Sequence, residues 1–226
     1  MGDPLRLVLL DIDGTLVDSL HNIVLAMHAA CDVVGVTRPP EAYVRRGIGL
    51  SLVEAVAQSL PDHPLDIHEQ VAEHYKQAFM ALRSSPDHQE HLFPGTREII
   101  AEMAGQGWLL GLATGKSRRG LDSFVERHGF EGCFVTLHTA DDGPGKPHPS
   151  MIHQALANTG CEPHHTVMVG DTTFDIQMAR AARVGAVGVS WGNHAPDDLW
   201  RSGAHIVLET FDGLTAAVSS LTATPG

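Results

Sequence analysis

Short apolar runs, most of which end in acidic or glycine residues, recur along the chain. The first run is followed directly by Asp11, Asp13 and Gly14. Continuous apolar runs of about 4–8 residues are typical of strands that are buried on both faces of a parallel sheet. The predicted strands lie at residues 5–10, 108–113, 166–169, 186–189 and 206–208.

Stretches with helical spacing of apolar residues separate these runs. Ile99, Ile100 and Met103, for example, fall on one face of a helix that ends near glycines. The predicted helices of this part of the chain lie at residues 96–106, 119–128, 149–157 and 175–182. Strands that alternate with helices indicate an α/β fold, with a Rossmann-like parallel sheet and right-handed crossovers. Ligands of such sheets bind at the carboxyl ends of the strands, where the acidic and glycine residues fall.

Residues 20–90 have a different pattern. Amphipathic stretches at 24–34, 50–60 and 67–82 predict helices, prolines separate them, and no convincing strand pattern occurs. We interpret this region as an all-helical cap that is inserted into the core after its first strand. The predicted domains are therefore an α/β core of residues 1–19 and 91–226 and a helical cap of residues 20–90.

Composition and charge limit the kinds of molecule that this protein can bind. The chain of 226 residues carries a formal net charge of −12, which argues against a nucleic-acid partner and requires any phosphate site to be locally positive. No apolar run approaches the about 18 residues of a membrane span, so no membrane partner is expected. The three cysteines are widely spaced, and we predict a reducing, cytoplasmic setting. Monomer and homodimer both stay open.

Asp11 and Asp13 are the first candidates for catalysis. Residues two apart in an extended segment point the same way, so both carboxylates should face one place. Like charges this close favour either a raised pKa for one carboxyl group or a bound cation. One carboxylate could then act as a nucleophile and the other as a general acid and base. A D-x-D pair that stands alone is more often a solvated loop.

Two further loops carry candidates for phosphate binding. Thr114 offers a hydroxyl at the end of the second predicted strand, and Gly115 permits close approach of the backbone. Lys116 follows as a candidate anion contact. Lys146 lies in a loop rich in glycine and proline, where a lysine is usually solvated. Beside a nucleophile it would instead supply positive charge to it and to a phosphoryl group.

Asp171 and Asp175 follow the third predicted strand. They are four residues apart, so at the start of a helix they would share a face. An acidic helix N-terminus would explain Asp175 but not Asp171 as well. With Asp11 and Asp13 they would form a strongly anionic cluster, which predicts dependence on a divalent cation.

Four segments resemble, in order, the motifs of the haloacid dehalogenase-like hydrolase superfamily. The first, residues 11–19, has the sequence D-I-D-G-T-L-V-D-S, and the others are residues 112–116, 145–149 and 169–175. The resemblance covers the whole chain. It implies an enzyme that removes phosphate from a small phosphorylated metabolite, because dehalogenases of the superfamily lack an aspartate at the position of Asp13.

The resemblance implies a role for each motif residue. Asp11 is the nucleophile that forms an aspartyl-phosphate, and Asp13 protonates the leaving alcohol and then activates water. Thr114 and Lys146 complete the catalytic set, and Thr114 also binds the phosphoryl group. Mg²⁺ is the implied cofactor, and its implied ligands are Asp11, Asp13 through its backbone carbonyl, Asp171 and, directly or through water, Asp175.

The predicted cap resembles the four-helix-type cap of phosphoglycolate phosphatase-like members, which implies that it closes over the site and selects the substrate. Arg45 and Arg46 occupy the region where relatives present substrate contacts, and arginine could bind a carboxylate or a second phosphate. Exposed surface positions are the alternative for both. Gly115 and Lys116 are the substrate contacts predicted in the core, with Arg118 as an alternative.

The resemblance leaves other activities open. A phosphohexomutase similar to β-phosphoglucomutase would share the core, but the cap arginine of such relatives is missing from residues 47–51. Pyrophosphate hydrolysis is a further alternative. A phosphonatase would need a Schiff-base lysine in the cap, where Lys76 is the only lysine. A non-catalytic binding module would be expected to lose Asp11, Asp13 or Lys146, and all three are present.

Overall fold

The computed structural model describes residues 4–85 and 89–223. Residues 1–3 and 224–226 of the predicted core and residues 86–88 of the predicted cap lie outside the described residues. The strands are Leu7–Leu10 (β1), Val17–Asp18 (β2), His91–Leu92 (β3), Leu109–Ala113 (β4), Thr136–His138 (β5), Thr166–Gly170 (β6), Gly185–Val189 (β7) and Ile206–Leu208 (β8). The α-helices are Leu20–Val34 (α1), Glu41–Gly47 (α2), Leu52–Ser59 (α3), Leu65–Arg83 (α4), Thr96–Gly105 (α5), Arg118–His128 (α6), Ser150–Thr159 (α7), Thr173–Ala181 (α8), Pro196–Arg201 (α9) and Leu214–Thr222 (α10).

Within the described chain, six strands form one parallel sheet in the order β5-β4-β1-β6-β7-β8. All strands predicted from apolar runs are present, which confirms the α/β fold with a Rossmann-like parallel core. Strand β5 is missing from the sequence prediction because it is short and largely polar. The two-residue strands β2 and β3, which pair antiparallel where the chain leaves and re-enters the core, are missing for the same reason.

The sheet separates two hydrophobic cores, and β1 contributes to both. Val8 and Leu10 point into a core built with residues of α5, α6 and α10, whereas Leu7 and Leu9 point into a core built with residues of α7, α8 and α9. All four side chains are at most 1% exposed. Alternation of side chains across a strand that is covered on both faces explains the continuous apolar run in the sequence.

Helices α1–α4 occupy residues 20–83 and share a third hydrophobic cluster. The predicted helices 24–34, 50–60 and 67–82 correspond to α1, α3 and α4. Helix α2 was not predicted from the pattern, because it is short and lies between a proline pair and a glycine. The structure therefore places only helices in this region, as expected. The exact boundaries of the two domains stay a prediction.

The predicted helices of the core correspond to α5, α6, α7 and α8. Two helices were not predicted: α9 has six residues, and α10 is rich in small and hydroxylated residues that carry little periodic signal. Among the residues that the structure describes, no helix has both the length and the apolar character needed to cross a membrane.

Candidate active site

The carboxyl ends of three adjacent strands bring the first candidate residues together. Strand β1 lies between β4 and β6, and the parallel register aligns their ends. The backbone N–H of Asp11 donates to the carbonyl of Val169 at 3.0 Å. Asp11, Thr114 and Asp171 directly follow these strands, so they lie at one edge of the sheet, where α/β proteins bind ligands.

Lys146 lies fully buried between two carboxylates. Its Nζ is 2.8 Å from Oδ1 of Asp11 and 2.6 Å from Oδ1 of Asp175. Burial alone would lower the pKa of Lys146, but the two carboxylates outweigh burial and hold that pKa above its usual value. Lys146 therefore stays positively charged beside Asp11.

Asp11, Asp171 and Asp175 form a compact carboxylate cluster. One oxygen of each lies within 4.8 Å of the others, and all three residues are at most 1% exposed. Burial is the main reason that the pKa of Asp11 rises to about 7 and that of Asp171 to about 8. Three buried acids share one lysine, so the site has a deficit of positive charge.

The donor set of this cluster fits a divalent cation. Oδ2 of Asp11 is buried and accepts no hydrogen bond from the described residues. A buried carboxylate oxygen without a donor is unfavourable unless a cation or water binds it. Oxygen ligands are the ligands that Mg²⁺ prefers. The site therefore combines a charge deficit, a free carboxylate oxygen and suitable ligand chemistry.

The two acids of the fourth motif reach the site from different local structures. Oδ2 of Asp171 accepts from the backbone N–H and the Nδ2 of Asn193 at 2.8 and 2.9 Å, and its Oδ1 accepts from the Thr15 hydroxyl at 3.0 Å. Oδ2 of Asp175 accepts from the N–H and hydroxyl of Thr172 at 3.1 and 2.6 Å, which caps α8. The prediction that Asp171 and Asp175 share a helix face is wrong, because Asp171 precedes the helix.

Asp13 is held by a different set of partners. Its Oδ1 accepts a hydrogen bond from the Ser19 hydroxyl at 2.5 Å and lies 2.7 Å from Nζ of Lys116. The side chain of Lys116 is 8% exposed, so this ion pair is largely shielded from water. Asp11 and Asp13, which were expected to face one place, are thus each paired with their own lysine. Ser19 was not predicted, although it belongs to the first motif.

Aromatic side chains of cap helix α4 lie beside the pair formed by Asp13 and Lys116. Tyr75 and Phe79 stack with ring centroids 5.6 Å apart, and Nζ of Lys116 lies 5.6 Å from the Phe79 centroid. Burial, and after it the negative charge of Asp13, raises the pKa of Tyr75. Neither Tyr75 nor Phe79 was predicted as a site residue. The signal that could have found them is their spacing, two aromatic residues four apart in a largely polar helix.

Thr114 and Gly115 connect the core to the cap. Thr114 is fully buried, and its hydroxyl accepts from the N–H of Lys116 at 3.2 Å. A Cβ on Gly115 would lie 2.6 Å from the carbonyl oxygen of Leu50 and 2.8 Å from that of Gly49. The close approach predicted for Gly115 is therefore made by the cap loop, and any larger residue would push the cap away from the strand ends.

The predicted arginine contacts lie in a cleft that borders the carboxylate cluster, because Asn193, which donates to Asp171, also lines it. Arg45 pairs with Glu41 at 2.9 Å, and Arg46 lies over the Tyr43 ring. Both line a cleft of about 740 Å³ between cap and core whose lining includes none of the residues Asp11, Asp13, Thr114 and Lys146. Arg118 is held by Asp142 at 2.8 Å. Substrate binding by Arg45 and Arg46 stays a prediction.

Lys76, the candidate Schiff-base lysine of a phosphonatase, is exposed on α4 and pairs with Glu73 at 3.3 Å. A Schiff-base lysine must be able to shed its proton, which burial or a cationic neighbour promotes. Lys76 has an acidic neighbour in water instead. Its surroundings therefore give no support to phosphonate chemistry.

Comparison with known proteins gives consistent matches along the chain. Residues 8–189 match the family model described as haloacid dehalogenase-like hydrolase. A protein of Dickeya dadantii named probable phosphatase IndB is 34% identical over 216 residues, which cover 95% of this chain and 94% of that protein. Phosphoglycolate phosphatase of Nitrosococcus oceani is 29% identical over 196 residues, which cover 85% of this chain and 87% of that protein. The crystal structure of a hydrolase from Pseudomonas syringae has the same fold, with a TM-score of 0.84 at 24% identity over 96% of this chain and all of that one.

Proposed function

The chain belongs to the haloacid dehalogenase-like hydrolase family, and from this premise we propose that it is a magnesium-dependent phosphatase. It would hydrolyse a small phosphomonoester through an aspartyl-phosphate on Asp11. The observation that carries the proposal is the pairing of the buried Asp11 with Lys146 beside two further acids, while Asp13 is held separately by Lys116. A nucleophilic carboxylate and an independent acid–base carboxylate are the two groups that this reaction requires.

Asp11 is suited to attack phosphorus. Lys146 keeps a positive charge 2.8 Å from its Oδ1, which favours the anionic, nucleophilic form and would attract a phosphoryl oxygen. The other oxygen, Oδ2, has no hydrogen-bond donor among the described residues. Thr114, at the end of the adjacent strand, would donate its hydroxyl to the phosphoryl group.

Mg²⁺ would be held by the carboxylates of Asp11 and Asp171 and the backbone carbonyl of Asp13, with Asp175 as a further ligand or a partner of bound water. When bound, it supplies positive charge that offsets the carboxylates and the transferred phosphoryl group. Asn193 and Thr15 fix both oxygens of Asp171, so this ligand is positioned before any ion arrives.

Asp13 would act as the proton carrier. It would donate a proton to the leaving oxygen and then remove a proton from the water that cleaves the aspartyl-phosphate. Ser19 and Lys116 orient its carboxylate. Since the leaving group must lie next to Asp13, it would also contact Lys116 and the aromatic pair of α4, Tyr75 and Phe79. A lysine over an apolar surface suits a small leaving group with its own negative charge.

The test of the proposed function is phosphate release from a panel of small phosphomonoesters with and without Mg²⁺. We expect 2-phosphoglycolate or a compound of similar size to be hydrolysed with Mg²⁺ and EDTA to stop the reaction. Pyrophosphate and a hexose 1-phosphate belong in the panel. Preferred release from pyrophosphate, or isomerisation of the sugar phosphate without phosphate release, would contradict the proposal.

Lys116 should determine selectivity for an anionic leaving group. 2-Phosphoglycolate and ethyl phosphate have the same ester linkage, but only the first has a carboxylate in the leaving group. Lys116→Met should lower the ratio of their kcat/KM values by about 10–100-fold, since a hydrogen bond to a charged group contributes about 1.5–3 kcal/mol. Arg118→Met is the matched control, because Arg118 also pairs with a carboxylate, but with that of Asp142 instead of Asp13. An unchanged ratio in Lys116→Met would remove Lys116 from the leaving-group subsite.

Mg²⁺ should stabilise the protein, and more so at higher pH. An ion at about 100 times its Kd adds about 2.7 kcal/mol, or about 5–10 °C in Tm for a chain of this length. In the absence of metal, the raised pKa values of Asp11 and Asp171 mean that the folded state binds more protons than the unfolded state between about pH 4 and 8. These two groups therefore make the metal-free protein less stable as the pH rises through that range.

Because Mg²⁺ competes with those protons, its effect on Tm should be larger at pH 8 than at pH 6. Thermal unfolding of wild type, Asp171→Asn and Asp122→Asn measures this. Asp171→Asn should lose most of the Mg²⁺ effect, and Asp122→Asn, on the exposed face of α6, should retain it. Equal Mg²⁺ effects in both variants would place the ion elsewhere.

A further inference from the structure

A basic cleft lies at the opposite end of the sheet from the candidate active site. It has a volume of about 300 Å³, and its basic lining residues are His164, Arg180, Arg183 and His205. Gly185, the first residue of β7, also lines it. The catalytic aspartates follow the carboxyl ends of the strands, so this cleft, at an amino end, is a separate site.

The charge of this cleft is not neutralised within the protein. Neither Arg180 nor Arg183 has a carboxylate within ion-pair distance among the described residues, and no acidic residue lines the cleft. Several other arginines of this acidic chain are paired with carboxylates. Arg38, Arg45 and Arg201 each lie 2.5–2.9 Å from a carboxylate oxygen. Arg180 and Arg183 therefore bring two guanidinium groups without a carboxylate partner in the described chain into one cleft, on a protein with a net charge of −12.

The backbone at the end of α8 holds Arg183 in an unfavourable conformation. Its φ is 60°, and no other described non-glycine residue has a positive φ. This position follows the helix C-terminus, where glycine is the usual residue because a Cβ disfavours left-handed backbone. Basic residues do suit a helix C-terminus, but a lysine or arginine one turn earlier would serve as well. Arg183 therefore occupies a backbone position that disfavours any side chain, and it lines the cleft.

One ring nitrogen of His205 is a donor without an acceptor among the described residues. The N–H of Ala186 donates to its Nδ1 at 3.0 Å, so Nδ1 carries a lone pair and the proton of the neutral ring is on Nε2. Burial and then Arg180 lower the pKa of His205, which favours the neutral ring. Nε2 faces Nη1 of Arg180, and a guanidinium has donors only. An oxygen acceptor beside these two donors would satisfy both of them.

We propose that this cleft binds a small phosphate-bearing anion. Arg180 and Arg183 would donate to its oxygens, as guanidinium groups do to phosphate in charge-assisted pairs. One oxygen would accept from both Arg180 and Nε2 of His205, and His164 would border the ligand. The volume lies at the lower end for ligand pockets, so it suits inorganic phosphate or a small organic phosphate.

The test is a titration of EDTA-treated, isotopically labelled protein followed by NMR at constant ionic strength. Without metal, the carboxylates of the catalytic site repel anions, so the titration reports on other sites. Inorganic phosphate is the probe in one arm and glycerol 2-phosphate in the other, and tighter binding of one identifies the source of the phosphate group. Saturable shifts at the Ala186 N–H and the His205 ring are expected.

Two variants probe the cleft. Arg183→Gly removes a guanidinium and keeps the left-handed backbone without strain, so the fold should hold. Arg180→Gln removes the second. Each should weaken binding at least about tenfold, the scale of one charge-assisted hydrogen bond. The matched control is the double variant Arg38→Gln/Arg201→Gln. It removes two charges from outside the cleft and should not change the affinity for phosphate. Shifts that do not saturate, that centre on the loop after β1, or that persist in Arg183→Gly would overturn the proposal.

Discussion

Asp11→Asn should reduce phosphate release by about 10⁴-fold or more, the scale seen when a covalent nucleophile is removed. The amide keeps the size of the carboxylate but loses the charge and the nucleophilic oxygen. Lys146, 2.8 Å from this side chain, would then keep Asp175 as its ion-pair partner among the described residues. Phosphate release from 2-phosphoglycolate at saturating Mg²⁺ measures the effect.

The control for Asp11→Asn is Asp18→Asn. Asp18 lies in the same motif but is exposed on β2, so the same change of charge there should leave turnover within about twofold of wild type, because exposed substitutions away from a site are usually close to neutral. Rapid acid quenching with labelled substrate should trap phosphate on wild-type protein and not on Asp11→Asn. Labelled Asp11→Asn, or retained turnover, would rule out an aspartyl-phosphate at this residue.

Lys146→Met should both inactivate and destabilise the protein. Removal of one partner from a buried ion pair costs about 3–5 kcal/mol, because the remaining buried charges lose their compensation. For a chain of this length, about 2–4 °C per kcal/mol gives a fall in Tm of about 6–20 °C. Thermal unfolding in EDTA isolates the effect of the lysine from that of a metal.

The matched substitution is Lys76→Met. Lys76 is exposed and pairs with Glu73 at the protein surface, where such pairs contribute about 0–1 kcal/mol, so Tm should change little. The loss in Lys146→Met should be smaller at pH 6 than at pH 8, since Asp11 can take up a proton at lower pH and so relieve the uncompensated charge. Equal Tm values for the two variants would show that Lys146 does not compensate buried carboxylates.

The sequence motifs predicted most of the residues that converge at the strand ends. Asp11, Thr114 and Asp171 directly follow strands whose apolar runs are visible in the sequence, and parallel strands must end at a common edge. Lys146 lies in a loop without such a signal, and only the resemblance to a family indicated its role. Its position between Asp11 and Asp175 depends on packing of the loop before α7.

The predictions for the cap were less complete. Its helical character follows from local periodicity, which needs no knowledge of the rest of the chain. Which cap residues face the strand ends depends on how the four helices rotate and pack. Arg45 and Arg46 line a cleft that Asn193 also lines, and their contact with substrate stays a prediction. Tyr75 and Phe79, which were not predicted, lie beside Asp13 and Lys116.

The sequence by itself determined the α/β core and its strand-end acids and predicted a cation site, because strand burial, strand direction and charge density are properties of short segments. Only the tertiary structure decided which lysine pairs with which aspartate, which cap side chains cover Asp13, and that Arg180, Arg183 and His205 share a cleft. Those contacts join residues far apart in the chain. Their geometry depends on the packing of whole elements, which no local pattern specifies.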